Sequence, residues 1–363
     1  MNTIPLEAYG FTPALRASLA ARECNGEIPA RVTAVHKERY ALVCERGECY
    51  GKLKSATYFN GAAEEFPTTG DFVLLQYNEQ GDSIITHTLP RRSYFARKNP
   101  TQGEGEQAVA ANFDSVFIMQ SLNHDFNPKR LERYLTLAWQ SGAVPVVVLT
   151  KADLLEQYDE PIREVMRVAA GVDVFPVSAK SGYGIDALSA YLAPGKTIVL
   201  LGSSGVGKSS FVNALAGEEV MAVNEIREDD SKGRHTTTHR QLILLSSGVM
   251  IIDTPGMREL GMLDSTAGLS ESFADVERYF GQCRFGNCRH ESEPGCAVQA
   301  AIAAGELPRE RLESYQKLQR ESQYAGDTAK YLKQKEQRFT EIAKFSKSLQ
   351  KSGGKRGIHG RDD

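Results

Sequence analysis

Residues 202–210 read GSSGVGKSS, a fit to the pattern G-x-x-x-x-G-K-[ST] with Gly202, Gly207, Lys208 and Ser209 in the required places. No other stretch constrains the fold as much, because such a loop works only between a buried strand and a helix N-terminus. Its flanks read as both: TIVLLG is a strand run and KSSFVNALAG a helix. A plain Gly-Ser turn is the alternative reading. The full pattern arises by chance in only about one chain in a hundred of this length, so the phosphate-loop reading prevails. The amides around Ser203, Ser204, Gly205, Val206, Gly207 and Ser210 then cradle a triphosphate. Lys208 acts as the catalytic cation on its β and γ phosphates, and the Ser209 hydroxyl ligates Mg²⁺.

Two further motifs lie upstream of this loop. TKAD (Thr150, Lys151, Ala152, Asp153) follows the strand VPVVVLT, and SAK (Ser178, Ala179, Lys180) follows the strand VDVFPVS. Side chains at the carboxyl ends of parallel strands face the ligand crevice. There the Asp153 carboxylate can accept both N–H donors of a guanine edge, the Lys151 stem packs along the base, and the Ala179 amide meets the guanine oxygen. Adenine offers no such donor pair, and a site built around a polar acceptor rejects an analogue lacking its partner by about 10⁴ or more. Each motif alone is weak, the bland reading of TKAD being a strand end before a helix, but on consecutive strand ends they reinforce one another.

Downstream, DTPG (253–256) closes a strand, which aims Asp253 at Mg²⁺ and the Gly256 amide at the γ-phosphate. D-x-x-G occurs by chance about once per chain of this length, so position carries the assignment. The Thr-rich stretch GRHTTT (233–238) lies between, and Thr237, rather than Thr236, is the expected second Mg²⁺ ligand; a solvated threonine cluster is the alternative. The order is therefore base motifs, phosphate loop, threonine loop, DTPG. Joining the ends of an ordinary G domain and cutting after D-x-x-G produces it, and compact domains tolerate such circular permutation.

The remaining text divides into parts. Residues 1–28 form an N-terminal lead. Residues 29–100 favour short strands with turns at Arg46-Gly47 and Gly81-Asp82, which predicts an antiparallel OB-type β-barrel. Such barrels bind nucleic acid or protein, or simply pack. RRSYFARKNPTQGEGEQAVAAN reads as a linker into residues 101–262, where strands alternate with helices, among them PKRLERYLTLAWQSG and GIDALSAYLA. That alternation predicts a parallel sheet with helices on both faces, a multidomain α/β chain. Residues 263–363 form a helical, zinc-binding part with a basic tail.

Cys283, Cys288, His290 and Cys296 have C-x4-C-x-H-x5-C spacing, four soft ligands that suit one closed, structural, tetrahedral Zn²⁺. Free thiols beside a surface histidine are the alternative. Cys24, Cys44 and Cys49 are assigned no metal. Residues 329–361 carry ten Lys or Arg against two Glu, interleaved with Tyr331, Phe339 and Phe345. This is either a solvated helix or one that lies on RNA phosphates. A net charge of -3 gives no global bias to nucleic acid, and no apolar run spans a bilayer, so a cytoplasmic protein without membrane contact is expected.

The permuted order, the phrase SLNHDFNPKRLERYLTLAWQSGAVPVVVLTKADL, GRHTTTHR, DTPGMREL and the cysteine knot resemble the RsgA (YjeQ) family of bacterial GTPases over residues 29 to 300. The resemblance implies a barrel, a permuted GTPase domain and a zinc domain that act together in late maturation of the small ribosomal subunit. It implies rRNA and the small (30S) subunit as partners, GTP, Mg²⁺ and Zn²⁺ as ligands, and a monomer. In that family a hydrophobic residue replaces the water-orienting glutamine, and Met257 follows DTPG here. A thioether orients water poorly, which predicts slow intrinsic turnover with His235 as a candidate for the missing group; packing within its loop is the equal alternative. An RNA-binding assembly scaffold with nucleotide as a structural ligand, or an ATP-using P-loop enzyme, are the competing functional readings.

Overall fold

The computed structural model describes residues 5–20, 26–36, 39–54, 66–98, 106–122, 127–155, 157–222, 241–253 and 266–323. A 3-10 turn (Leu6–Tyr9) and helix α1 (Pro13–Ala20) lead into five strands, β1 (Ile28–Val35), β2 (Tyr40–Cys44), β3 (Gly47–Leu53), β4 (Phe72–Gln76) and β5 (Ser83–Thr88). These close in the order β1-β2-β3-β5-β4, with β4 pairing back onto β1. The barrel is not wholly antiparallel as the sequence suggests: β3 and β5 run parallel, Gly51 opposite Ser83. Five strands cannot alternate direction all the way round a closed ring, so one parallel pair is unavoidable. Ala30, Val32, Leu42, Cys44, Val73, Leu75 and Ile85 fill the interior.

The expected linker is instead an antiparallel hairpin, β6 (Tyr94–Lys98) with β7 (Glu106–Ala111), which straddles residue 100. Its Gly-bearing middle reads as linker, but its arms are apolar: Phe95, Val109 and Ala110 are buried, and Phe95 stacks on Phe113 at 4.9 Å.

Then follow β8 (Ser115–Ser121), α2 (Pro128–Gln140), β9 (Val144–Thr150), α3 (Asp159–Val168), β10 (Asp173–Pro176), β11 (Thr197–Leu201), α4 (Lys208–Ala216), β12 (Gln241–Leu244) and β13 (Met250–Asp253). Their order in the sheet is β10-β9-β8-β11-β13-β12, all parallel except β12. Both faces are covered. Val116, Ile118, Val147, Leu149, Val199, Leu201 and Ile252 join a core with Leu131 and Leu135 of α2 and Val165 of α3. Their neighbours Phe117, Met119, Val146, Val148, Ile198, Leu200 and Ile251 join another with Phe211 and Val212 of α4. This period-two division explains why the strands read as continuous apolar runs. Asn127 caps α2 by accepting from the Arg130 amide at 3.1 Å, with Pro128 at the first helical position where its missing N–H costs nothing.

The expected helix GIDALSAYLA is not a helix. A 3-10 turn at Asp186–Leu188 anchors Leu188 in the core, and turns follow. Gly184 explains why: it passes so close to β10 that a Cβ there would sit 2.1 Å from the Pro176 carbonyl oxygen, at φ +75°. The chain is thereby held against the strand rather than free to wind.

Helices α5 (Thr266–Ser272), α6 (Ala274–Glu277), α7 (Ala297–Ala303) and α8 (309–323) make the C-terminal part. It docks on α2. Gly268 lets α5 approach so closely that a Cβ would lie 2.3 Å from the Thr136 carbonyl oxygen. Arg311, 4% exposed, donates to Glu132 of α2 at 2.7 Å and to Asp275 at 2.9 Å, with its guanidinium 4.1 Å from the Phe273 ring centroid.

The barrel joins the α/β sheet through a bridge between β1 and β12, Ala34 opposite Gln241, so that eleven strands are continuous. Beside it lies the fully buried Arg31. Its guanidinium donates to the carbonyls of Tyr9, Gly70 (3.3 Å) and Asn112 (2.9 Å) and to the Thr197 hydroxyl (3.0 Å), and sits over the Phe72 ring.

A candidate nucleotide site and a candidate metal centre

The carboxyl ends of β10, β9, β8, β11 and β13 open on one edge of the sheet, about 19 Å wide for four strand spacings. The phosphate loop leaves β11 at Leu201 and enters α4 at Lys208. Gly202 is required by contact, since a Cβ would lie 2.8 Å from the Met119 carbonyl oxygen of β8. Gly207, at φ 103°, is the left-handed residue that caps α4. Ser203 and Val206 are buried, while Ser204 and Gly205 face solvent. The Lys208 ammonium donates to the carbonyls of Gly202 (3.0 Å) and Ser203 (2.7 Å), which curls it over the loop it would share with phosphates. Ser209 and Ser210 occupy the first turn of α4, partly exposed at the end where helix amides are unpaired.

At the TKAD end, Lys151 has φ 61° and ψ 38°, a left-handed conformation that costs a non-glycine residue about 1–3 kcal/mol. The reversal sends Ala152 back to β10, where its amide donates to the Val177 carbonyl at 3.0 Å, and leaves Asp153 exposed on the crevice rim. The buried Ser178 hydroxyl donates to Asp153 Oδ1 at 2.6 Å. One carboxylate oxygen is thus held while Ala179 and the exposed Lys180 continue along the rim. Behind this loop the hydroxyls of Tyr158 and Tyr183 hydrogen-bond to each other, and the Tyr183 carbonyl accepts from the Ser178 amide at 2.9 Å.

Thr150 connects the two ends. It is buried, its hydroxyl donates to the Val206 carbonyl of the phosphate loop at 2.6 Å, and the Gln120 carbonyl lies at 3.4 Å. The sequence points to Thr150 as a nucleotide contact, whereas its hydroxyl is engaged with the loop backbone. Nothing in TKAD signals this, because the partner is a backbone atom 56 residues away. Asp253 ends β13 opposite Gln241 and is 7% exposed, two strand positions from β8 across β11. Gly256, Thr237, His235 and Met257 lie outside the described residues, as does the basic tail with Tyr331, Phe339 and Phe345.

The second cluster is Cys283, Cys288, His290 and Cys296, whose ligand atoms all lie within 4.8 Å of one another. His290 Nδ1 is 3.5 Å from both the Cys283 and Cys296 sulfurs, and those sulfurs are 3.9 Å apart. Sulfurs bound tetrahedrally at about 2.3 Å from zinc are separated by about this much, so the donor set fits a closed Zn²⁺ site. Supporting contacts escape sequence reading. The His290 ring stacks on Phe280 at 4.3 Å, and the Gln299 amide group donates to the His290 carbonyl at 2.7 Å. Amides of Ala297 and Gln299 point at the Cys283 and Cys296 sulfurs. Desolvation works to raise the Cys283 thiol, but the Ala297 and Val298 backbone and the Cys288 and Cys296 thiols together hold it below its ordinary value, whereas burial pushes Cys288 up to about 11. Glu293 accepts from the amides of Arg289, Glu291 and Ser292, which ties the intervening loop.

Comparison with known proteins bears on the family and the fold. A family model described as RsgA GTPase matches residues 88–263. A Listeria innocua protein named small ribosomal subunit biogenesis GTPase RsgA 1 is 49% identical over 320 residues, covering 88% of this chain and 90% of its own. A Methanosarcina acetivorans protein named small ribosomal subunit biogenesis GTPase RsgA is 45% identical over 292 residues, covering 80% and 79%. Among solved structures, YjeQ from Thermotoga maritima superposes with a TM-score of 0.60 at 27% identity, covering 80% of this chain and 97% of that one. YloQ, described as a circularly permuted GTPase, gives 0.56 at 22% identity over 86% and 98%, a likeness of fold. The identity and coverage of these relatives, together with the permuted order of strand ends around one crevice, establish that the chain belongs to the RsgA GTPase family.

Proposed function

We propose that this protein is a GTPase of small ribosomal subunit maturation, which binds rRNA on the assembling subunit and hydrolyses GTP to GDP and phosphate when that subunit stimulates it. The observation that carries the nucleotide reading is the Thr150 hydroxyl on the Val206 carbonyl, which ties the base-reading strand end to the phosphate loop as one crevice. Asp153 reads guanine, with Ser178 orienting its carboxylate, and Thr150, Lys151, Ala152, Ala179 and Lys180 form the surrounding wall. The loop amides from Gly202 to Ser210 take the phosphates. Lys208 leaves its two backbone carbonyls for the β and γ phosphates, where its charge opposes that developing on the leaving group.

Ser209 and Asp253 are the residues among those described that would hold Mg²⁺, with Thr237 as its further ligand and the Gly256 amide meeting the γ-phosphate. The ion supplies charge neutralisation across the β and γ phosphates. Zn²⁺ on Cys283, Cys288, His290 and Cys296 is structural. The parts at 29–100, 101–262 and 263–363 act as barrel, nucleotide and zinc-binding units, and the GTP form holds the subunit more tightly than the GDP form. No described helix is long and apolar enough to cross a membrane, and a cytoplasmic monomer fits this role.

The decisive measurement is steady-state GTP hydrolysis with and without purified small subunits. Stimulation of at least about tenfold is expected, worth ~1.4 kcal/mol off the barrier. An unchanged rate, with GTP still bound, returns the protein to the scaffold reading.

A further inference from the structure

Arg31 is fully buried, and among the described residues no carboxylate pairs with it. Burial, followed by repulsion from Arg92, pulls its pKa down to about 9 against the opposing pull of Asp114 and Asp71, so it stays a cation at neutral pH. A buried cation with no carboxylate in direct contact is a poor stabilising device. Its contacts, however, fall on a pattern. They come from barrel strand β1 and reach Thr197 and Met250, the first residues of β11 and β13, the Met250 sulfur at 3.2 Å. Those two strands run on to the phosphate loop and to Asp253.

A second contact fixes the other end. Ala34, three residues along β1, pairs with Gln241, and Gln241 pairs with Asp253, three residues along β13. β1 and β13 are therefore parallel, separated by β12 and pinned to each other at both ends over about 10 Å of strand. The barrel cannot tilt on the sheet without disturbing either the start or the end of the strand that carries Asp253.

We infer that Arg31 is a positioning residue that couples occupancy of the barrel to the nucleotide state, by passing any shift of the barrel to the starts of β11 and β13. The inference rests on the proposed function, in that the small subunit is taken as the barrel's ligand. Linkage makes the effect reciprocal: GTP strengthens subunit binding by the factor by which the subunit strengthens GTP binding.

The test uses the full-length, zinc-loaded protein. Affinity for purified small subunits is measured with a non-hydrolysable GTP analogue and with GDP, and the ratio of the two is the coupling factor. Affinity of the free protein for each nucleotide is measured beside it. Wild type is expected to give a factor within the usual range of about 5 to 150. Arg31→Met is expected to bring the factor to within about twofold of one, while nucleotide binding by the free protein changes by less than about threefold. Thr197→Val keeps the cation and the packing and removes its side-chain acceptor on β11, so it is expected to lower the factor partway. Arg31→Lys retains charge without the planar fork and is expected to resemble Arg31→Met.

A folded Arg31→Met protein with the wild-type factor overturns the inference and leaves the proposed function standing. Should Arg31→Met not fold, a wild-type factor in Thr197→Val overturns it equally. A wild-type factor of one refutes the nucleotide-dependent binding itself, and this inference with it.

Discussion

Replacing Thr150 by valine removes one hydroxyl and almost no volume. The Val206 carbonyl, in a residue 1% exposed, then loses the donor now at 2.6 Å. A buried acceptor left without its partner costs about 1–3 kcal/mol. The bond exists in the free protein, so the cost divides between folding stability and nucleotide affinity, and only the sum is fixed. If all of it falls on binding, the GTP Kd rises about 5- to 150-fold. Because Thr150 aligns the two ends of the crevice, GDP and GTP should lose affinity while guanosine, which never reaches the phosphate loop, keeps its own. Titration of labelled nucleotide and urea unfolding on the same preparation measure both shares. Thr150→Ser, which keeps the hydroxyl, should restore most of the loss. A Thr150→Val protein equal to wild type in both stability and affinity would refute the tether.

Asp153→Asn exchanges an acceptor for a donor on the base edge and is expected to turn the preference from guanine to xanthine nucleotides by at least about tenfold, read by competition binding; a nucleotide preference unaltered by the substitution would favour the ATP-using reading. Arg311→Met strands Glu132, 4% exposed, without its cation, and urea unfolding should show a loss of about 3–5 kcal/mol, partly returned by adding Glu132→Gln. Cys288→Ser should lower zinc content towards zero and loosen the α7–α8 part, seen as faster amide exchange there, with GTP binding at the distant crevice retained. Glu293 is held down to about 2, the Arg289 amide contributing most, from an ordinary 4.5. Its contribution is therefore full above pH 4.5 and lost as pH falls towards 2. Amide protection at Arg289, Glu291 and Ser292 should follow that window and be absent from Glu293→Gln.

The crevice at the strand ends was readable because each of its motifs sits where a strand ends, and strand ends announce themselves by apolar runs of five to seven residues such as VPVVVLT and TIVLL. The cluster of Cys283, Cys288, His290 and Cys296 was readable because its four side chains lie within one short segment. What escaped depends on distant partners. The β6–β7 hairpin looked like a linker because glycine and charge dominate its middle, while the burial of Phe95 depends on Phe113 and on the sheet behind it. The segment GIDALSAYLA has a helical pattern, but the close pass of Gly184 over β10 overrides it. Thr150 and Arg31 act on backbone or on hydroxyls 56 and 166 positions away, and a single sequence carries no trace of such pairings.

The permuted strand order also bears on how the chain emerges from synthesis. β8, β9 and β10, neighbours in both sequence and sheet, can assemble from local contacts by residue 177, before the phosphate loop exists. Until β11 is made, one flank of β8 stays open, with Val116, Phe117 and Ile118 at an unpaired edge. The nascent protein thus carries the TKAD and SAK strand ends before the glycine loop exists, and a ligand that needs both can assist folding only after β13, the last strand among the described residues, has left the ribosome.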